Sequence, residues 1–115
     1  MSADCLFCKI VAGIIPVKPL FDDAELIAIQ DINPQAPLHV LIIPKIHIAS
    51  LNDLVPEHDA LVGSMFRRAA DLARPRGYDV RGYRTVFNTG AEAGQSVFHI
   101  HLHLLAGRSL AWPPG

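Results

Sequence analysis

A chain of 115 residues, 50% hydrophobic and 18% charged, has an ordinary globular balance: enough apolar sequence for one real core, too little for two, and none of the charge excess of disordered segments. Ten basic residues against eleven acidic ones leave a net charge of −1, which excludes binding to a nucleic-acid polymer through bulk electrostatics but not recognition of a single nucleotide by a few placed donors. No apolar run approaches the roughly 20 residues that cross a bilayer, "MSADCLFCKIVAGIIP" lacks the basic region of a signal peptide, and two cysteines are too few for a disulfide-stapled fold, so a soluble cytoplasmic protein without a membrane partner is expected.

The first predicted element is a short helix within "DCLFCKIVAGIIP", N-capped by Asp4 and stopped by Gly13 and Pro16. Aliphatic and β-branched runs at 24–32 and 39–45 read as strands, joined through the turn-forming "NPQAP" at 33–37. From 56 to 73, Leu61, Val62, Met65, Ala69, Leu72 and Ala73 follow helical spacing, while Glu57, Arg67, Arg68, Asp71 and Arg74 supply the wet side. "RPRG" ends this long helix, whose role is packing. A third strand at 83–88 leads into the glycine-containing loop "TGAEAGQS" at 89–96, and 97–105 reads as a fourth strand. The tail "LAWPPG" is too proline-rich for regular structure, yet it holds the only tryptophan, Trp112, which suits a docked tail. This order indicates a single α+β domain over residues 1–115 on a largely antiparallel sheet.

Within "VFHIHLHLL", His99, His101 and His103 occupy every second position, so on a strand they share one face at a spacing of about 6.6–7 Å, with Phe98, Ile100, Leu102 and Leu104 turned into the core. Three readings are open for the row. It can be a wet face that happens to be histidine. It can be a three-histidine metal site, although side chains that far apart on a flat strand converge poorly on one ion. Or it can place a nucleophilic histidine between residues that set its tautomer and bind an anion. The loop before it favours the third, because Gly90 and Gly94 let backbone N–H groups approach an anion and the Ser96 hydroxyl stands close by.

Cys5 and Cys8 lie one helical turn apart, so their sulfurs can face the same way. They can form a redox pair, although no strand precedes them, or two buried thiols, or half of a zinc site with histidines available as further ligands.

"GQSVFHIHLHLL" resembles the signature of the histidine triad family, His-x-His-x-His followed by two hydrophobic residues. "LFCKI", "DINPQAPLHVLIIPKIHI", "FNTGAEAGQSVFHIHLHLLAGR" and "WPPG" extend the resemblance over nearly the whole chain, to the nucleotide-binding branch of that family, the purine nucleoside phosphoramidases. The resemblance implies a five-stranded antiparallel sheet with one long and one short helix, joined edge to edge across a homodimer in which Trp112 reaches the partner's site. It implies hydrolysis of adenosine or guanosine 5′-phosphoramidates through a nucleotidyl-histidine. His101 matches the nucleophile, Ser96 the residue that assists the departing amine, His103 a phosphate contact and His39 a histidine that supports the nucleophile. Asn88 matches a phosphate ligand and Asp31 the carboxylate on the ribose hydroxyls; Phe7, Ile10, Ile29 and Ile32 would wall the base, with Gln95 and Trp112 also on the nucleotide. With no lysine or arginine between Arg84 and Arg108, the phosphate would rest on backbone N–H groups, neutral donors and protonated histidine. Family members with such a Cys-x-x-Cys carry a structural zinc, and the matching set here is Cys5, Cys8, His47 and His99. No cofactor is implied for the chemistry itself. The alternatives are a dinucleoside polyphosphate or adenylylated-intermediate hydrolase, a nucleotide-binding scaffold with incidental hydrolysis, and a zinc module without nucleotide chemistry.

Overall fold

A computed structural model describes residues 4–115. Helix α1 (Leu6–Val11) is followed by strands β1 (Phe21–Asp22), β2 (Leu26–Gln30) and β3 (Leu38–Pro44), then the long helix α2 (Asp59–Ala73), the single-turn α3 (Tyr78–Arg81), and strands β4 (Tyr83–Val86) and β5 (Leu102–Ala106). Short 3-10 turns at Leu51–Asp53, Pro56–His58, Arg74–Arg76 and Ala91–Ala93 join them. The strands form one antiparallel sheet in the order β1-β2-β3-β5-β4. The fifth strand, implied by the family resemblance alone, is the two-residue β1.

β2 and β3 are buried on both faces, which is why they read as continuous apolar runs and not as alternating ones. Leu26, Ala28, Val40, Ile42, Leu102 and Leu104 pack on one face against Leu61, Met65 and Ala69 of α2. Ile27, Ile29, Leu41 and Ile43 pack on the other against Cys5, Phe7, Cys8 and Ile10 of the α1 segment. The sheet is thus sandwiched between a long helix and a six-residue one. Arg68 ties α2 to β1: its guanidinium pairs with Asp23 and lies 3.7 Å over the Phe21 ring.

Four local expectations are corrected. The N-cap of α1 is Cys5, whose Sγ accepts the Cys8 N–H at 3.4 Å; Asp4 is exposed outside it. The long helix opens with a 3-10 turn at Pro56–His58 and becomes α-helical at Asp59; Pro56 stands at the start, where a missing N–H costs nothing. Beyond the "RPRG" stop the chain turns through Gly77, at φ 79°, into the unanticipated α3. Finally, the histidine strand starts at Leu102, not at 97. The register that pairs Ile42 with Leu102 would set Ile100 opposite Pro44, which has no N–H for the next rung, so the ladder ends there. Residues 97–101 peel away, and Ile100 N–H bonds to the Ile48 carbonyl at 2.8 Å instead. Phe98, expected in the core, is consequently 54% exposed.

Candidate active site and adjoining metal cluster

The α1 face of the sheet carries all the histidines of the row. His103 pairs across the ladder with Leu41, so it shares that face with His39 two residues earlier on β3. Hydrogen bonds assign the proton positions. His39 Nδ1 accepts the Gln35 N–H at 3.0 Å, so its proton sits on Nε2, 2.9 Å from His103 Nδ1. His103 therefore accepts at Nδ1 and keeps an N–H donor on Nε2. The Asp31 carboxylate lies 3.5 Å from the same His39 Nε2, its other oxygen accepting the Asn33 N–H at 2.8 Å. His101 Nδ1 stands 2.8 Å from the His99 carbonyl and must donate to it, which leaves Nε2 with a free lone pair. The resemblance aligned His39 with support of the nucleophile; here its direct partner is His103, whose ring centroid lies 5.0 Å from that of His101.

Burial sets the charge of these rings. It pushes His103 down to about 4, with His101 and His39 acting in the same direction and Asp31 opposing. Burial also lowers His39 against the pull of Asp31, and His101 against its bond to the His99 carbonyl and the charge of Asp31. All three shifts favour the uncharged rings in the free site, against the expectation that protonated histidine would hold a phosphate.

His101 and His103 open into a cleft of about 710 Å³. Phe7, Ile10, Ile29 and Ile32 wall it as expected, with Ile32 exposed at the rim, and Asp31 and Ser96 also line it. The Phe7 ring stands edge-on to His101, centroids 4.8 Å apart. Three expected ligands lie outside the lining of this chain's own cleft, Trp112 being expected at a partner's site. Gln95 is buried, its amide accepting from Gly90 N–H at 2.9 Å and donating to the Ala49 and Val97 carbonyls at 2.8 and 3.3 Å. Both amide N–H groups are committed to backbone carbonyls, which makes Gln95 a brace of the loop with no donor left for a nucleotide. Asn88 is half-buried beyond β4, outside the cleft lining. Trp112 is 83% exposed, in a tail held to the sheet edge by Arg84 Nη2 donating to the Ala111 carbonyl at 3.1 Å. Sequence reasoning missed Lys18 and Gln30, which also line the cleft. Lys18 lies outside the interval searched for cations, and only the fold brings it near.

His99 belongs to a different neighbourhood. It is fully buried, and its Nε2 donates to the Pro44 carbonyl at 2.7 Å, the group left over where the ladder stops. Its Nδ1 therefore carries a lone pair, 3.3 Å from Cys5 Sγ, 3.6 Å from Cys8 Sγ and 3.2 Å from His47 Nδ1. Cys8 Sγ to His47 Nδ1 is 3.3 Å, and all four ligand atoms lie within 4.8 Å of one another. Ligands about 2.0–2.3 Å from a tetrahedral ion stand about 3.3 Å apart for two nitrogens and about 3.5 Å for sulfur and nitrogen. The four side chains fit a closed zinc set, and the Pro44 carbonyl supplies the outer bond that orients a ligating histidine.

Comparison with known proteins agrees with this geometry. The family model described as the scavenger mRNA decapping enzyme C-terminal binding region matches residues 4–111. The purine nucleoside phosphoramidase of Escherichia coli is 44% identical over 110 residues, covering 96% of this chain and 92% of that protein. Among solved structures, a HIT family hydrolase from Legionella pneumophila is 51% identical with a TM-score of 0.94, covering 97% of this chain and 100% of its own. A zinc-bound histidine triad family protein from Mycobacterium smegmatis is 37% identical with a TM-score of 0.79, covering 97% of this chain and 80% of its own. With the motif, the sheet and these relatives in agreement, the chain belongs to the histidine triad family.

Proposed function

We propose that the protein is a purine nucleoside phosphoramidase that forms a nucleotidyl-histidine at His101. The observation that carries this is the bare Nε2 of His101, aimed into an apolar cleft beside a carboxylate, with its Nδ1 proton held by the His99 carbonyl. The purine lies between Phe7, Ile10, Ile29 and Ile32, and Asp31 accepts the ribose hydroxyls. The Nε2 lone pair attacks the α-phosphorus; the P–N bond breaks, and the amine leaves with its electron pair and a proton relayed from water by the Ser96 hydroxyl. The ring, now bonded at Nε2 and protonated at Nδ1, is cationic and is stabilised by the His99 carbonyl. Water then attacks phosphorus, its spare proton goes to solvent, and the Nε2–P electron pair returns to His101. His103 donates its Nε2–H to a phosphate oxygen throughout. A lining with Lys18 as its single lysine or arginine suits a substrate with few phosphates, and the name of the Escherichia coli relative points to one with a phosphoramidate.

The test is capture of the intermediate: low-temperature trapping with an adenosine phosphoramidate and quenching at alkaline pH, where a P–N(imidazole) bond survives, followed by mass spectrometry. An adduct on His101 is expected, and His101→Ala should lower turnover by at least about 10³-fold. An adduct on any other residue overturns the mechanism. Faster turnover of a diadenosine polyphosphate than of the phosphoramidate overturns the substrate class.

Two further parts belong to this reading. Cys5, Cys8, His47 and His99 hold a structural zinc ion, supported by their spacing, by the Pro44 outer bond and by the zinc-bound relative; metal analysis should find about one zinc per chain. A homodimer extends the sheet through the edge strand β4, supported by the exposed Tyr83 and Phe66 beside it and by the exposed tail tryptophan. Thiolate ligands need a reducing compartment, and a cytoplasmic location goes with them.

A further inference from the structure

The chain segment that carries the chemistry is not part of the sheet. β5 begins at Leu102, whereas Ser96, His99 and His101 precede it on residues that the β3 ladder does not reach. What anchors this segment is mainly side chains: Gln95 to the Ala49 carbonyl, and the imidazole of His99 to the Pro44 carbonyl and the cysteine–histidine cluster.

Two physical routes lead from that cluster to the nucleophile. The first runs through His99, whose ring is in the cluster while its carbonyl, on the same residue, fixes His101 Nδ1 at 2.8 Å. A rotation of the His99 backbone turns the His101 ring and re-aims Nε2. The second runs through Phe7, which stands between the two cysteines on α1. Its ring meets His99 and His101 edge-on, with centroids 5.8 and 4.8 Å away. α1 itself has six residues, far below the length at which a helix persists alone, so its position depends on what ties it to the rest.

We infer that the metal cluster is a positioning device for the nucleophile: Cys5, Cys8, His47 and His99, closed on one ion, lock α1 and residues 97–101 together so that His101 Nε2 stays aimed at the reacting phosphorus. This rests on the zinc site and on the phosphoramidase reading above. Asp31, which accepts the ribose hydroxyls, follows β2 and is not a ligand of the cluster, whereas the base walls Phe7 and Ile10 lie on α1 itself. Metal loss should therefore separate two quantities. Nucleotide affinity should fall by no more than about 10-fold, through the Phe7 and Ile10 walls, while the rate of nucleotide transfer from bound substrate to His101 should fall by a further 10- to 100-fold, the scale of an ångström-sized misplacement.

The experiment uses the full chain as purified, stripped with a chelator and reloaded with zinc or cobalt(II), alongside Cys8→Ser and His47→Asn. Three measurements are made on each form: amide hydrogen exchange, single-turnover formation of the AMP–His101 adduct, and AMP affinity by titration. The expected result is faster exchange over 5–11 and 97–101 in the stripped protein with β2 and β3 unchanged, adduct formation at saturating substrate slowed by more than AMP affinity is weakened, and recovery of both on reloading. Chelation and reloading of the unsubstituted chain keep the test decisive if a variant fails to fold. Metal that binds without altering exchange at 97–101 or the adduct rate overturns the inference and leaves the zinc site standing. Failure to bind zinc or cobalt overturns both. Exchange decides the positioning role even if His101 never takes a nucleotide, so the loss of the reaction and the loss of the lock are separate results.

Discussion

His103 shows how far a residue's chemistry is set by its neighbours. The proton on its Nε2 follows from a chain that starts at the Gln35 N–H and passes through His39. His39→Ala removes the donor to His103 Nδ1 and frees that ring to turn; turnover should fall about 10- to 100-fold while the adduct still maps to His101, checked by kinetics and mass spectrometry. The lowered proton affinities of His39 and His103 also fix a pH dependence. The folded state binds their protons less readily than the unfolded chain, whose histidines titrate near 6.5. Stability from this source is therefore fully present above about pH 6.5 and is lost as the pH falls toward the folded value of about 4. Thermal melts between pH 7 and 4 should show a declining Tm, with a shallower slope in His103→Asn; an equal slope would place the effect elsewhere. Gln95 illustrates what a sequence hides at this scale: a buried amide that braces a loop and one that grips a ligand are the same letter. Which it does depends on whether the Gly90, Ala49 and Val97 backbone groups converge on it.

At the scale of elements, the sandwich of α1, sheet and α2 makes distinct demands on its parts. Met65 is fully buried where α2 meets β3 and β5, and Met65→Ala should cost about 2–5 kcal/mol by denaturant unfolding, because the surrounding strands cannot collapse into the space. Gly107, just after β5, sits at φ 100°, and a Cβ there would lie 2.8 Å from Pro37 Cβ and 3.0 Å from the Tyr78 hydroxyl. Gly107→Ala should destabilise by more than about 1 kcal/mol, since both the backbone conformation and the contact with the 33–37 turn oppose it. The long helix was legible because burial of one face imposes a period on the sequence, and β2 and β3 because burial of both faces makes them continuous apolar runs between turn residues. The end of β5 was not legible, because alternation from Val97 to Leu105 continues past the point where the ladder stops. The reason lies on another strand, in the missing N–H of Pro44.

At the scale of the whole molecule, the edge strand β4 and the tail are the parts that one chain leaves uncovered. Trp112→Ala should leave the unfolding free energy within about 0.5 kcal/mol, as for other exposed positions, while lowering kcat/KM if the indole completes the site of a second copy. Light scattering with parallel kinetics checks this: an unchanged kcat/KM in a dimeric variant would remove the tail from the site.

The sequence by itself determined the order of the main elements, the short first helix and most side chains of the two histidine neighbourhoods, Lys18 and Gln30 excepted, because periodicity and motif spacing are local properties of the chain. The sequence also singled out Cys5, Cys8, His47 and His99 as a set and His101 as the centre of the row. Only the tertiary structure decided how three chemically identical rings divide. His99 turns into a buried sulfur–nitrogen cluster, His101 is left with a bare nitrogen, and His103 is held neutral against His39. That division depends on burial and on hydrogen-bond partners 52, 55, 64 and 94 residues away in the chain. Proton placement and desolvation are properties of a packed site, and no reading of alternate positions along one strand contains them.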